Sequence, residues 1–374
     1  MKQHRSARTI GSPRNLGRRC AGLATACVTT LAVLAGLAVT PTSASAATSD
    51  DPAYIGLFGS QDPTFDGVYR QSLSLIVLDA AHARVPEPAV KWLKRQQCDN
   101  GSYMSFRTDL NSACGPKDSN ATALAVIAFK AVGAPKRANQ AVNWLIDHQD
   151  RSGGWEYTAG WGPDSNSTGL VIQALIAMKI DPKTIKTRRS GPAFLKRLQL
   201  DCDSEEAASR GALDYMANDP LAPNDFATAQ ATAALAGATL PVGPSLLSDE
   251  LPAFACPDGD QPTAAAAAAG YLGRVIDANS GFVPGFDGVS PDYGSTANAV
   301  MSLVAAGYGA NQVTEATEVL ENVAADYSRD DADKVVPAAA AALAFVAFAT
   351  DGDPRAFGGT NPVRDILKSR TTKG

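Results

Sequence analysis

Carboxylate and amide side chains recur at the start of several apolar segments. Asp118-Ser119-Asn120-Ala121-Thr122 precedes one such segment, and Asp164-Ser165-Asn166-Ser167-Thr168 precedes the next, 46 residues later. Weaker copies begin at Asp66, at Asn224 and at Asp292. A carboxylate can bind a cation, transfer a proton when its environment raises its pKa, or cap a helix by accepting backbone N–H bonds. For each of these residues taken alone, we expect the cap role.

Aromatic residues occur in the loops beside these polar starts. If the apolar segments are parallel helices, their starts and these aromatic residues meet at one end of the bundle. A concave site with aromatic walls and a few polar groups is the usual form of a small-molecule site. The sequence therefore predicts a ligand site formed by Asp118, Asn120, Asp164, Asn166, Asp225, Asp292, Phe106, Tyr157, Trp161 and Tyr293.

The sequence lacks the residue patterns that metal binding, serine hydrolysis and phosphate binding require. His82 and His148 are the only histidines after residue 46, and the cysteines are too far apart for zinc-binding Cys-x-x-Cys pairs, so we predict no metal site. No Gly-x-Ser-x-Gly elbow and no phosphate-binding Walker sequence occurs. The acidic run Asp330-Asp331-Ala332-Asp333 is interpreted as a solvated loop. No cofactor is indicated.

The segments behind the polar starts predict six buried helices. Leu124-Ala125-Val126-Ile127-Ala128-Phe129 is apolar on all sides, which is typical of a helix that is surrounded by others. The sixth segment, Val336 to Ala349, lacks the polar start. Amphipathic segments alternate with these six, and we expect them to lie outside. No segment shows sustained period-two alternation, so an all-α chain of six hairpins that can close into a ring is predicted.

The amphipathic segments carry a repeated motif. The spacing Ala-x-x-Trp-Leu-x-x-x-Gln-x-x-x-Gly-x-Trp runs from Ala141 to Trp155, and Ala89 to Tyr103 repeats it with Tyr in the last position. Two further copies are degenerate. The one that ends at Gln199 is expected to have lost its glycine turn, and the one at Gly281 keeps the turn without the Gln.

This motif resembles the glutamine–tryptophan repeat of squalene and hopene cyclases. Over residues 60–370 the pattern is similar to the prenyltransferase and squalene-cyclase repeat family, in its secreted bacterial form, which implies an α/α toroid of six hairpins (an α6/α6 barrel). The resemblance also implies that Trp92, Gln97, Trp144, Gln149 and Trp155 brace neighbouring hairpins.

The first 46 residues predict a secretory signal peptide. Six basic residues and no acid precede the apolar run Ala21 to Val39, and Ala44-Ser45-Ala46 offers a cleavage site. We expect no stable membrane insertion after cleavage, a linker at 47–60 and the toroid domain at 61–374. Without the signal, 27 basic and 38 acidic residues remain, a formal charge of −11 that disfavours nucleic acid as a partner.

Cysteine usage agrees with export to an oxidising compartment. Four cysteines follow residue 46, and three pairings of them are possible. We predict the disulfides Cys98–Cys114 and Cys202–Cys256, because each joins loop-like segments that are close in sequence.

Three functions are compatible with the sequence of this protein, which we expect to be extracellular. The first is a non-catalytic binder of a small apolar ligand or of an extracellular protein at the toroid mouth. The second is a terpenoid cyclase or prenyl-transfer enzyme, although the Asp-x-Asp-Asp acid motif of hopene-type cyclases and the Asp, Cys and His zinc ligands of protein prenyltransferases are both missing. The third is a corrinoid-binding protein, although transcobalamin-like binders add a β-rich domain that this chain lacks.

Overall fold

The computed structural model describes residues 53–185 and 189–371. The predicted signal peptide and its cleavage site after Ala46 lie outside the described residues. Within the described part, the α-helices are α1 (Gly67–Ala80), α2 (Glu87–Gln96), α3 (Ser119–Ala131), α4 (Pro135–Asp147), α5 (Ser165–Ala177), α6 (Gly191–Arg197), α7 (Asp225–Leu235), α8 (Ala264–Ala278), α9 (Tyr293–Ala306), α10 (Ala310–Asn322), α11 (Ala324–Tyr327), α12 (Pro337–Ala349) and α13 (Pro362–Ser369). Two short antiparallel strands, β1 (Trp155–Glu156) and β2 (Pro163–Asp164), form the one named sheet of these ranges.

Six of the helices form a closed inner ring. Each of α1, α3, α5, α7, α9 and α12 packs against the next in this order, and α12 packs back against α1. They are apolar on nearly all sides, and almost every residue of α12 is buried. The predicted six buried helices are confirmed, and the closed ring with its outer layer is an α/α toroid.

The outer layer alternates with the inner ring along the chain. Helices α2, α4, α6, α8, α10 and α13 pack against α1, α3, α5, α7, α9 and α12, respectively. In α4, Val142 and Leu145 are buried whereas Asn143 and Asp147 face solvent, as the amphipathic pattern predicts. The one-turn helix α11 is an addition between α10 and α12.

The two ends of the described chain meet and close the ring. The backbone N–H of Gly56 donates to Thr371 O over 3.2 Å, and the N–H of Thr371 donates to Leu57 O over 2.8 Å. Leu57 and Phe58 are fully buried. Residues 53–60, all of which the sequence analysis assigned to the linker at 47–60, therefore pack as part of the ring.

The segments that follow the outer helices, which we call joints, repeat one arrangement. The first joint runs from Gln97 to Tyr103. Gln97 Nε2 donates to Gly101 O in its own turn and to Arg137 O at the start of the next outer helix. Gly101 has a φ of +91°, and a Cβ there would lie 2.4 Å from Gln140 O, so only glycine fits this contact. The resemblance implied this bracing role for the Gln.

The third joint corrects the sequence analysis. Gln199 Nε2 donates to Gly211 O and to Ala264 O, and Gly211 has a φ of +97°. The glycine turn is therefore present and was not lost. It lies twelve residues after the Gln instead of four, because the segment 200–210, which contains Cys202, is inserted between them.

Both predicted disulfides are present. Cys98 is bonded to Cys114, and Cys202 is bonded to Cys256. The first ties a joint to the loop before α3, and the second ties the inserted segment to the long loop before α8. Within the described ranges, no helix is both long enough and apolar enough to cross a bilayer.

Candidate functional site at the mouth of the ring

The starts of the inner helices lie at one end of the ring, which we call the mouth. The backbone N–H of Val68 in α1 donates to Ser105 O in the loop before α3. Ser119 N, at the start of α3, donates in the same way to Tyr157 O, and Ser165 N, at the start of α5, donates to Tyr215 O. The loops that enter neighbouring helices are thus in direct contact.

Three predicted site residues cap these helices. Asp118 Oδ1 accepts from Ala121 N over 2.8 Å, Asp164 Oδ1 from Ser167 N over 2.7 Å, and Asp292 Oδ1 from Ser295 N over 3.0 Å. Asp66 precedes α1 without such a bond and pairs with the buried guanidinium of Arg70 over 2.8 Å. The cap role that we expected for single residues is observed in the first three.

A threonine four residues after the cap links each helix to its joint. Thr122, Thr168, Thr228 and Thr296 are each fully buried. Their hydroxyl oxygens accept 2.8–3.0 Å bonds from the backbone N–H groups of, in order, Tyr103, Trp155, Leu213 and Val283. These four residues each follow a positive-φ glycine by two positions, so they occupy one equivalent place in the repeats.

Burial, and not pairing with a basic residue, shifts the pKa of several carboxyl groups at the mouth. Asp118, Asp164, Asp225 and Asp292 form no ion pair with any basic residue in the described ranges. Burial raises the pKa of Asp118 and Asp225, and it raises the pKa of Asp164 to about 6. These four carboxyl groups of the mouth therefore have no cationic partner among the described residues.

Asp118 belongs to a small polar cluster. Ser105 Oγ donates to Asp118 Oδ2 over 2.9 Å and lies 3.4 Å from Tyr157 Oη. Burial and the neighbouring Asp118 raise the pKa of Tyr157 to about 12, so its phenol stays protonated. The Asp118 carboxylate is thus held by the cap, by Ser105 and by Tyr157.

Asp225 differs from the other acids because it does not cap its helix. Asn224 Oδ1 accepts the cap bond from Ala227 N over 2.8 Å, which places Asp225 at the first helical position. There its carboxylate accepts a hydrogen bond from Tyr271 Oη of α8. Burial and then the charge of Asp225 raise the pKa of Tyr271, so the phenol remains a donor.

A pocket of about 270 Å³ opens beside this pair. It is lined by Pro223, Asn224, Asp225, Phe226, Tyr271, Pro284, Gly285, Phe286 and Asp292. The rings of Phe226 and Phe286 are 6.3 Å apart, and Phe286 is 71% exposed. No basic side chain lines it. Two predicted site residues, Asp225 and Asp292, therefore meet two aromatic rings in one concavity.

The predicted aromatic residues divide between mouth and core. Tyr157 and Trp161 form an edge-on pair with ring centroids 5.9 Å apart, and Trp161 is exposed. Tyr293 packs edge-on against Tyr327 at 5.6 Å. Phe106 is buried and stacks on Trp92 of α2 at 6.3 Å, so its ring belongs to the packing beneath the mouth.

The predicted amides lie in the first helical turns. Asn166 is buried and accepts a 3.3 Å bond from Ser165 Oγ. Asn120 Oδ1 is buried without a hydrogen-bond partner. Neither residue lines the 270 Å³ pocket.

The other residues that could bind a metal or transfer a proton do not line the mouth pocket. Asp330 binds Gln61 Nε2 and two backbone N–H groups of its own turn, and Asp331 and Asp333 are exposed, as expected for a solvated loop. His148, the residue directly after α4, stacks on Trp144 with ring centroids 4.2 Å apart. No group of three His, Cys, Asp or Glu that could hold a metal ion occurs among the described residues.

Tyr271 is the pocket residue that sequence reasoning missed. It lies on an outer helix, in the degenerate repeat where an aromatic residue precedes Leu272, and this pattern was interpreted as packing. Asn224 and Asp225 are adjacent, and both residue types can cap a helix. The sequence therefore does not indicate which of the two caps α7 and which is left to pair with Tyr271. Phe226 and Phe286 belong to the aromatic residues that the sequence places in the loops beside the polar starts, although they were not among the ten predicted site residues.

Comparison with known proteins gives distant structural likenesses. No protein-family model and no curated protein sequence matches the chain. Solved structures similar to it include the type II terpene cyclase MstE from Scytonema in its apo form, with 19% identity over 71% of this chain and 70% of that one and a TM-score of 0.45. A sugar epimerase from a ruminal bacterium has 13% identity over 75% of this chain and 82% of that one, with a TM-score of 0.45. A protein from Actinoplanes has 17% identity over 71% and 83%, with a TM-score of 0.34. The toroid assignment rests on the chain's own helix contacts.

Proposed function

We propose that this chain is a secreted, non-catalytic binding protein that holds a small ligand at the mouth of its ring. The observation that carries the proposal is the 270 Å³ pocket, in which the Asp225–Tyr271 pair faces the rings of Phe226 and Phe286. Concave pockets with apolar walls and a few convergent polar groups are the common form of small-molecule sites, and this volume is just below their usual range of about 300–1,000 Å³.

The pocket chemistry favours a ligand with an apolar body and a positively charged head. Asp225 and Asp292 supply negative charge, and no lysine or arginine lines the pocket to compensate it. Aromatic faces attract organic cations through the ring quadrupole, by about 0.5–2 kcal/mol for each contact. A tertiary or quaternary amine would therefore be attracted both by the two Asp side chains and by the aromatic rings of the pocket.

The interior of the ring argues against a cyclase. The cavity at its centre has a volume of about 40 Å³, far below that of a site for a terpenoid, and no carboxyl group lines it. Cyclisation by protonation needs an acid that faces the substrate in a dry cavity. Asp164, whose pKa burial raises to about 6, already accepts hydrogen bonds from Ser167 N and Ser167 Oγ as a helix cap.

Titration calorimetry with benzyltrimethylammonium tests the proposal on residues 47–374. We expect binding, with at least tenfold weaker affinity for Phe286→Ala and for Asp225→Asn, and weaker binding of the uncharged isostere neopentylbenzene. Leu246→Ala is the matched control, because Leu246 is 98% exposed and lies in the loop that follows α7, at the other end of that helix. The control should bind like the wild type.

Two other outcomes would overturn the proposal in different ways. Conversion of squalene or geranylgeranyl diphosphate to a cyclised product by the purified chain would identify an enzyme. Retention of the visible absorbance of cyanocobalamin after gel filtration, with no effect of benzyltrimethylammonium, would identify a corrinoid-binding protein. Export itself is checked by finding the chain in the culture medium with its amino terminus at Ala47.

A further inference from the structure

The large apolar side chains that are exposed to solvent gather at the mouth. Five such side chains occur in the described ranges, and four of them lie on loops that enter inner helices: Phe65 before α1, Trp161 before α5, and Phe286 and Val289 before α9. The fifth, Leu246, lies in the loop after α7. Exposed apolar residues that are scattered singly are normal on a protein surface, whereas a group of them on one end marks an interaction site.

Three neighbouring mouth loops form one continuous surface, which we call the three-loop surface: residues 155–164, 212–226 and 283–293. The first two loops are in contact, because a Cβ on Gly162 would lie only 3.0 Å from Met216 Cε. The second and third are joined by the rings of Phe226 and Phe286, which are 6.3 Å apart. The surface therefore runs from Trp161 in the first loop to Phe286 in the third.

The loops that carry the exposed side chains are held by their own hydrogen bonds. Glu156 Oε2 accepts from Gly160 N over 2.8 Å and from Gly162 N over 3.1 Å, on both sides of the tryptophan. Asp287 Oδ1 accepts from Val289 N over 3.0 Å. Side chains on loops that are already ordered have less freedom to lose when a partner binds, so they can serve as anchors.

The charged residues of the three-loop surface all have one sign. Its loops contain seven Asp or Glu residues and no Lys, Arg or His, whereas 97–118, before α3, and 328–336, before α12, each contain two basic residues. Four of the seven acids are not buried: Glu156, Asp219, Asp225 and Asp287. Hydrogen bonds from Ser290 Oγ and from backbone N–H groups of the turn lower the pKa of Asp287 to about 2, so it is charged at neutral pH. A partner that covers the apolar side chains must therefore bring positive charge.

We infer that the three-loop surface binds a segment of another protein in which lysine or arginine side chains are interspersed with apolar ones. The inference rests on the proposed function, since the mouth pocket is part of this surface, and it identifies the cationic head that the pocket favours as a lysine or arginine side chain. Trp161, which does not line the pocket, becomes a further anchor. A membrane is the less favoured occupant, because anionic lipid headgroups would repel the acidic loops.

Fluorescence anisotropy with a labelled peptide of three Lys-Leu-Gly repeats tests the inference on residues 47–374. We expect binding that weakens when NaCl is raised from 50 to 500 mM. Peptides of Glu-Leu-Gly and of Lys-Ser-Gly repeats, which lack the positive charge or the apolar group, should bind at least tenfold more weakly.

Two variants and a control locate the site of the peptide. Trp161→Ala should weaken binding of the Lys-Leu-Gly peptide by roughly five- to tenfold, because exposed tryptophans are frequent anchors of interfaces. Glu156→Gln should weaken it by a smaller factor, since it removes a charge and keeps an acceptor for the bonds from Gly160 and Gly162. The matched control is Leu246→Ala, at the other end of α7, which should bind the peptide like the wild type.

The outcomes separate this inference from the proposed function. Equal affinity of the wild type for all three peptides, or equal affinity of wild type and Trp161→Ala for the Lys-Leu-Gly peptide, would overturn the inference even if benzyltrimethylammonium binds. The three peptides are compared on the wild type alone, so this result does not depend on the folding of a variant. Binding to phosphatidylcholine vesicles in place of the peptide would identify a membrane surface and also overturn the inference. Peptide binding that depends on Trp161, without binding of benzyltrimethylammonium, would overturn only the proposed small-ligand function.

Discussion

The mouth of the ring has two sides that use the same residue types differently. We call the starts of α3 and α5 the closed side. There Asp118 and Asp164 are buried, and their carboxylates cap the two helices. At the starts of α7 and α9, the open side, Asn224 takes over the cap of α7. The neighbouring Asp225 is therefore free to pair with Tyr271 beside an open pocket.

The difference teaches how a repeated fold acquires a site. The cap, the buried threonine and the positive-φ glycine recur on both sides, so they are requirements of the hairpin. What differs is a one-residue displacement of the carboxylate at α7 and a smaller residue at the joint before α9, Val283 in place of Trp155, whereas Asp292 still caps α9. The mouth pocket lies where the carboxylate of α7 is displaced from the cap position.

The largest effect is expected at the joint of the closed side. Trp155 is fully buried, and its Nε1 donates to Leu145 O over 2.7 Å. Trp155→Ala should lower the free energy of unfolding by about 3–5 kcal/mol, measured by urea denaturation. Val283→Ala, at the equivalent place on the open side, removes less volume and should cost clearly less. Equal losses would break the distinction between the two sides.

The second prediction concerns the pH dependence of the closed side. Burial raises the pKa of Asp164 to about 6 in the folded state, from 3.8 in the unfolded chain. The folded form therefore holds its proton more tightly, and this contribution to stability is present below about pH 4 and is lost as the pH rises through 6. Because two units correspond to about 3 kcal/mol, wild type and Asp164→Asn should diverge by about that amount between pH 4 and 7.

The control for this titration is Leu246→Ala, which changes an exposed side chain that does not titrate. Asp164→Asn keeps an acceptor for the cap bond, so the helix start is preserved. Denaturation curves at pH 4, 5, 6 and 7 should show the divergence for Asp164→Asn alone. A parallel pH profile for wild type and Asp164→Asn would contradict the role of burial.

The repeat pattern predicted the ring because buried helices need apolar residues on every side. Leu124 to Phe129 carries that signal in its composition, and Asp118 and Asp164 carry the cap signal in their position. The third joint escaped prediction because an insertion separates Gln199 from Gly211, and only the fold brings their atoms together. The Asp225–Tyr271 pair escaped for the same reason, since the two partners are 46 positions apart in the sequence.

The third prediction tests what the two sides share. Thr168 Oγ1 accepts from Trp155 N, and Thr296 Oγ1 accepts from Val283 N, both over 2.9 Å and both in fully buried positions. Replacing either hydroxyl by a methyl group leaves a buried N–H without a partner. Thr168→Val and Thr296→Val should therefore each cost about 1–3 kcal/mol by urea denaturation. A loss on one side only would show that the scaffold is not common to both.

The smallest expected difference compares the two carboxylates directly. Asp118→Ala removes a helix cap and the bond from Ser105, and should cost about 1–2 kcal/mol in the free energy of unfolding. Asp225→Ala removes no cap, and it relieves a buried carboxylate that has no cation beside it. Its cost should stay within about 0.5 kcal/mol, the range of substitutions away from structural features. Differential scanning calorimetry of the two variants against wild type measures both values. If Asp225→Ala destabilises the chain as much as Asp118→Ala, Asp225 is a structural residue of the ring and the open side loses its distinguishing feature.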